Sequence, residues 1–169
     1  MLWPAAPKPM PGEVFGSWLG RVAARYRIGV DEMNSASQIE VEIGPGAEAW
    51  LAARPVGAAA LQRLSQLSTV PMEQLQGTLL QEGSRTARYP CCYGCLIMNP
   101  LELESPYWHG QWMRHEVWRC DRPGHDMLKA TSAMLRQARN MTKLVEVRRA
   151  KRMCHRCSQA PSLGRSLDR

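Results

Sequence analysis

The sequence predicts a mainly α fold: a helical domain containing a helix-turn-helix over residues 1–88, a small zinc-binding module over 89–128, and a basic helical segment over 129–169. Three observations carry this expectation. Apolar residues recur at helical spacing near the N-terminus, around residues 58–80, and again between the later cysteines. Six cysteines, at 91, 92, 95, 120, 154 and 157, fall mostly into closely spaced pairs. Positive charge collects at one end: residues up to Leu128 carry 11 Lys and Arg against 13 Asp and Glu, and residues from Lys129 onward carry 11 against 2.

A chain of 169 residues suits one compact domain or two very small ones. Hydrophobic residues make up 44%, charged residues 22%, and the mean hydropathy is -0.36, values that exclude a wholly disordered polymer. No run of about 18 apolar residues occurs, and the first residues hold no apolar stretch of signal-peptide length, so a soluble cytoplasmic protein with no membrane contact is expected. In a reducing compartment, paired cysteines favour metal binding or catalysis over disulfides.

Pro4, Pro7, Pro9 and Pro11 fix extended backbone and remove amide donors, which makes the first dozen residues an arm. Beyond Gly12, the spacing of Phe15, Trp18, Leu19, Val22 and Tyr26 predicts a helix from about Glu13 to Arg27, with Glu13 in its first turn and Gly29 placed to stop it. Residues 38–43 alternate in the manner of a short strand, and Trp50 and Leu51 read as a short helical turn on the core. Leu61, Leu64 and Leu67 mark a helix over 58–67. A second helix is expected from Pro71 to about Leu80, capped by Ser68 or Thr69. Two short helices joined this tightly have helix-turn-helix geometry, although Met72, Leu75 and Leu79 have the character of core residues, and hairpins used only for packing are commoner.

Between Tyr89 and Leu128 the chain becomes rich in Cys, Trp and Tyr and loses helical periodicity. Cys92 and Cys95 flank Tyr93-Gly94, where the glycine permits a turn tight enough for both sulfurs to face one ion. Cys120 and His125 span a Pro-Gly turn. Three sulfurs and one imidazole suit tetrahedral zinc, and a site with four protein ligands leaves no open position for catalysis. Cys91 leaves a second register open, with Cys92 preferred for its two-residue spacing. Trp108, Trp112 and Trp118 are expected to form the miniature core beside the metal. His109 and His115 are alternate ligands of lower weight.

Cys154 and Cys157 form a further pair and a candidate second zinc site. Three completions stand open: His109 or His115, the first cysteine pair, or a second chain. Before that pair, Met127, Met134, Ala138, Met141 and Val145 predict one long helix whose apolar stripe is a packing face. Arg136, Arg139, Lys143, Arg148, Arg149, Lys151 and Arg152 cover the remainder and are the candidate contacts to nucleic-acid phosphates.

Lys8-Pro9-Met10-Pro11-Gly12-Glu13 followed by Ser17-Trp18-Leu19-Gly20-Arg21 resembles the opening of TniQ-family proteins. The later block resembles the family too: Cys92-Tyr93-Gly94-Cys95-Leu96, Pro106-Tyr107-Trp108, Trp112, Cys120, His125 and Leu128. The resemblance implies a helical, helix-turn-helix-containing protein with zinc-ribbon-like modules. It implies an adaptor, not an enzyme, that links target-site recognition, in some systems by an RNA-guided CRISPR effector, to an AAA+ ATPase regulator and transposase during DNA recombination. The competing expectation is a zinc-containing helix-turn-helix transcription regulator that binds specific duplex DNA. A third, with Cys92 or Cys120 as nucleophile and His125 as base, requires thiols that no metal occupies.

Overall fold

The computed structural model describes residues 2–42, 50–79, 88–96, 106–113, 120 and 127–158, the last eight as backbone alone. Its described residues are mostly helical. Helix α1 (Phe15–Arg25) is followed by α2 (Val30–Ser37), strand β1 (Val41–Glu42), a 3-10 turn at Trp50–Ala52, strand β2 (Arg54–Pro55), α3 (Gly57–Ser68) and α4 (Met72–Gln76). Strand β3 (Arg88–Cys92) then leads into the single-turn helix α5 (Tyr93–Leu96), a second 3-10 turn at Gly110–Met113, β4 (Met127–Thr131), α6 (Ser132–Gln137) and α7 (Met141–Ser158). Two antiparallel pairs form, β1 with β2 and β3 with β4. In the second, Arg88 opposes Thr131 and Cys92 opposes Met127.

Helix α1 is the axis of the molecule. All residues from Phe15 to Ala23 are buried, polar and glycine positions included. It packs on α2, on the first 3-10 turn and on α7, where Met141, Leu144 and Val145 are buried. A contiguous cluster of buried side chains continues from Trp3 in the arm through α1 and α3 to Cys91, Cys92, Trp108 and Trp112. Fully burying each large apolar side chain contributes about 2 kcal/mol, so this cluster is the main stabilising term.

Two glycines let α1 approach the Trp50 turn closely. A Cβ on Gly16 would stand 2.2 Å from the Trp50 carbonyl oxygen and 2.3 Å from that of Leu51; on Gly20 it would meet the Trp50 ring at 2.5 Å. The Trp50 indole N–H in turn donates to the carbonyls of Leu135, at 3.1 Å, and Ala138, at 2.6 Å, at the end of α6. One side chain therefore joins α1 to the C-terminal helices.

The arm is not extended throughout: it turns at Pro4–Ala5, where the Ala6 amide donates to the Trp3 carbonyl (2.9 Å), and at Pro11–Gly12, where the Glu13 amide donates to the Met10 carbonyl (3.0 Å), and it is docked as a strap. The Trp3 amide donates to the Leu67 carbonyl (2.6 Å), the Trp18 indole to the Pro7 carbonyl (2.8 Å), and Arg21 to the Lys8 carbonyl (2.8 Å). Trp3 itself is buried.

Several boundaries differ from expectation for local reasons. Helix α1 ends before Gly29, because Arg27 takes the left-handed conformation, φ 59°. Gly29 instead caps α2, its amide donating to Glu32 (2.9 Å). Helix α4 stops at Gln76, with Gly77 as its C-cap, so α4 amounts to about a turn and a half. Pro71 occupies the N-cap, while Ser68 accepts from the Val70 amide (3.3 Å) and Thr69 is left-handed, φ 58°. The single long C-terminal helix is divided: Met127 lies in β4, and α6 and α7 are separated at residues 138–140. Thr131 accepts from the Met134 amide (3.3 Å) to start α6, and Asn140 accepts from the Lys143 amide (3.1 Å) to start α7. These polar side chains satisfy amide donors that a continuous helix would have paired internally. Among the described residues no helix is long and apolar enough to cross a membrane.

Replacing Gly16 with Ala is expected to destabilise the fold by about 3 kcal/mol, because the new methyl meets backbone carbonyls that cannot rotate away. Gly77→Ala meets nothing closer than 3.4 Å at an ordinary φ and should be neutral or slightly stabilising. Urea-denaturation midpoints of the two variants check this, and an equal shift in both would contradict it.

Candidate metal centre

The register of β3 decides which cysteine of the adjacent pair faces the site. Successive side chains on a strand point to opposite faces, so Cys91, opposite Leu128, and Cys92, opposite Met127, diverge. Both are buried. Cys92 ends the strand, and the chain then turns at once into α5, which carries Cys95. The Cys95 amide donates to Cys92 Sγ at 3.5 Å, a bond that fixes the turn with both sulfurs on its inner side.

Cys120 comes to the same place from 25 residues further along the chain, with its Sγ 3.4 Å from that of Cys95. The sulfurs of Cys92, Cys95 and Cys120 all lie within 4.8 Å of one another. Ligand sulfurs at about 2.3 Å from a tetrahedral ion sit about 3.8 Å apart, so the three stand close to the spacing an ion needs. Cys92 and Cys120 are buried and Cys95 is half-buried.

Burial, followed by the hydrogen bonds and charges of Cys120 and Cys92, pushes the Cys95 thiol up to about 12. The Cys95 thiol therefore stays protonated near neutral pH in the absence of a cation. A divalent cation at such a cluster would supply the opposing charge that favours thiolate.

The aromatic residues between the two halves of the cluster pack as a core. Trp108 and Trp112 are fully buried and meet edge to face, with centroids 5.8 Å apart. Their 3-10 turn rests on β3. His109 stacks between Tyr107 (4.3 Å) and Trp112 (4.7 Å) and is not one of the clustered ligands.

His125, His115 and Trp118 lie outside the described residues. Cys154 and Cys157 fall three residues apart on α7, and their side chains lie outside the described residues too, as do those of Arg136, Arg148, Lys151 and Arg152. Of the remaining candidate phosphate contacts, Arg139 pairs with Glu32, and Lys143 pairs with Glu146 at 2.7 Å. Arg149 is exposed. The Gly29 amide, and next Arg139, hold the Glu32 carboxyl below its ordinary range.

A buried polar network escaped the sequence pattern. Glu13 precedes α1 and does not belong to its first turn. Its Oε2 accepts from the Met10 amide (3.0 Å), its Oε1 accepts from the Ser17 hydroxyl (2.8 Å), and Arg21 stands 3.5 Å away as an ion pair. Burial raises the Glu13 pKa, and the Arg21 charge opposes that shift. Ser17 Oγ also accepts the amide of Trp108 at 2.8 Å, which ties α1 to the turn beside the cysteines. The four-residue steps from Glu13 to Ser17 to Arg21 were the available signal, since such steps share one helix face.

A helical body carrying a three-cysteine cluster is the class these features define. The TniQ family model matches residues 4–162, nearly the whole chain, and the chain belongs to the TniQ family. No curated protein and no solved structure matches it.

Purified protein is expected to carry one tightly held ion per chain, and Cys95→Ser to lose it. Elemental analysis of both, with thiol titration before and after chelation, checks this. Full thiol reactivity of the untreated folded protein would contradict it.

Proposed function

We propose that this chain is a non-catalytic adaptor in DNA transposition, joining recognition of a target site to an AAA+ ATPase regulator and its transposase. Membership of the TniQ family across residues 4–162 is the observation that carries the proposal. In some systems the recognition partner is an RNA-guided CRISPR effector, and the resemblance extends that role to this chain.

The ion is zinc. Three cysteine sulfurs form the donor set that redox-inert zinc favours, and His125 supplies the fourth ligand. An ion so enclosed has a structural role: it closes the chain between Cys95 and Cys120 and holds a surface for protein partners. Cys154 and Cys157 form half of a second site.

The basic C-terminal segment holds nucleic-acid phosphates without reading sequence. Support comes from the charge division, with 11 cations against 2 acidic residues from Lys129 onward. Direct base reading by the α3–α4 hairpin has less support, since α4 spans only Met72–Gln76. A sequence-specific regulator needs a longer recognition helix.

Replacing Arg148, Arg149, Lys151 and Arg152 together with Gln is expected to weaken duplex binding about equally for random and selected sequences. The salt slope should fall by about 0.9 for each phosphate that is no longer neutralised. Fluorescence-anisotropy titrations at several salt concentrations measure both quantities. Unaltered affinity, or strong preference for one duplex, would count against this role. Capture of the AAA+ ATPase by the metal-loaded chain and not by Cys95→Ser tests the adaptor function itself.

A further inference from the structure

We propose that Ser17 is a positioning residue for the metal centre: by clamping residues 106–113 to α1 and the N-terminal strap, it couples metal binding to docking of the strap. The inference rests on the metal-binding role given above.

The chain from Cys95 to Cys120 must return to its starting point across 25 residues. Its middle is stitched to the strap and the start of α1 by three hydrogen bonds. The Val14 amide donates to the Trp108 carbonyl (3.0 Å), and the Gly110 amide to the Gly12 carbonyl (2.7 Å). These two bonds make Glu13 and His109 an antiparallel bridge pair. The Trp108 amide donates to Ser17 Oγ, whose own proton goes to Glu13 Oε1 (both 2.8 Å).

Ser17 is fully buried, and its hydroxyl is the link between the Glu13–Arg21 pair and the turn that rests on β3. With residues 106–113 held, seven residues along the sequence separate the held segment from Cys120, against twenty-five from Cys95. Shortening the closing loop from twenty-five residues to seven favours closure by about sevenfold. Coupling of this kind is reciprocal, so the ion holds the strap as firmly as the strap helps to hold the ion.

Ser17→Ala removes the clamp's side chain while leaving an unstrained helix residue. Zinc affinity, measured by competition with a chromophoric chelator on the full chain, is expected to fall between about threefold and sevenfold. Ser37→Ala serves as the control. Ser37 is also buried, but its hydroxyl bonds only within α2, to Met33 (2.5 Å) and Asn34 (3.3 Å). Its affinity should match the wild type. Affinity of Ser17→Ala within twofold of the wild type, or an equal loss in Ser37→Ala, would overturn the coupling.

Hydrogen exchange on the wild-type chain tests the reverse direction and does not depend on any variant folding. Removing zinc should speed exchange at Met10, Val14, Trp108 and Gly110, with the Val30 amide, bonded to Arg139 (3.0 Å), unaffected. Unchanged exchange in the strap, or a uniform increase along the chain, would refute the coupling alone. A wild-type chain that binds no zinc would remove the metal-binding role together with it.

Discussion

A helix buried on every side must find partners inside the protein for each polar group it carries, and the architecture follows from how α1 meets that requirement. Glu13, Ser17 and Arg21 follow at four-residue steps along one face, and the strap runs beside them. Its Met10 amide and Lys8 carbonyl are bonded to Glu13 and Arg21. Each of these bonds, left unmade in the interior, would cost about 1 to 3 kcal/mol. The strap is therefore part of the core, although nothing in it is helical or sheet-like. Its prolines contribute by limiting the freedom lost when it docks.

The cysteine cluster shows the same logic with charge in place of hydrogen bonds. Burial and the neighbouring sulfurs raise the pKa of the Cys95 thiol, and three sulfurs this close together form a donor set suited to a cation. The turn that seats Cys92 and Cys95 is already made by strand and helix backbone, and its amide-to-sulfur bond points a dipole at a developing thiolate. What the local chain cannot supply is the approach of Cys120, which depends on the path of residues 96–120. Within that span, Trp108 is bonded to Val14 and Ser17 at the start of α1, and Gly110 to Gly12 of the strap.

Where sequence periodicity reports on burial of one face, the elements were legible. Phe15, Trp18, Leu19 and Val22 mark α1, Leu61, Leu64 and Leu67 mark α3, and Trp50 and Leu51 mark a turn on the core. The Cys92–Cys95 pair and Cys120 were legible as one centre from spacing and composition. Helix α2 was not, because it buries only Val30, Met33 and Ser37 and is held by its Glu32 box and by Arg139. The β3–β4 pair joins segments more than thirty residues apart, a pairing that no local pattern encodes. The methionine stripe from Met127 to Met141 misled for a related reason. Seven-residue spacing suits one continuous helix, whereas Thr131 and Asn140, read only in context, break it into a strand and two helices. Glu13 shows the same limit, since an acidic residue at a helix start has an exposed electrostatic role in one context and a buried bridging role in another.

The division between α6 and α7 also shapes the basic segment. Met141, Leu144 and Val145 anchor the first turns of α7 to α1, and the cations there are already engaged, Arg139 by Glu32 and Lys143 by Glu146. After Glu146 no acidic residue occurs until Asp168, while Arg148, Arg149, Lys151, Arg152 and Arg156 follow. The sequence beyond Glu146 is therefore positively charged, past the last of these anchoring residues. Arg148, Arg152 and Arg156 stand at four-residue steps, a spacing at which like charges oppose helix formation by a few tenths of a kcal/mol per pair, on the order of 0.2 to 0.5. A polyanion lying along this half of the helix would remove that repulsion, so any phosphate bound there would also stabilise the end of α7.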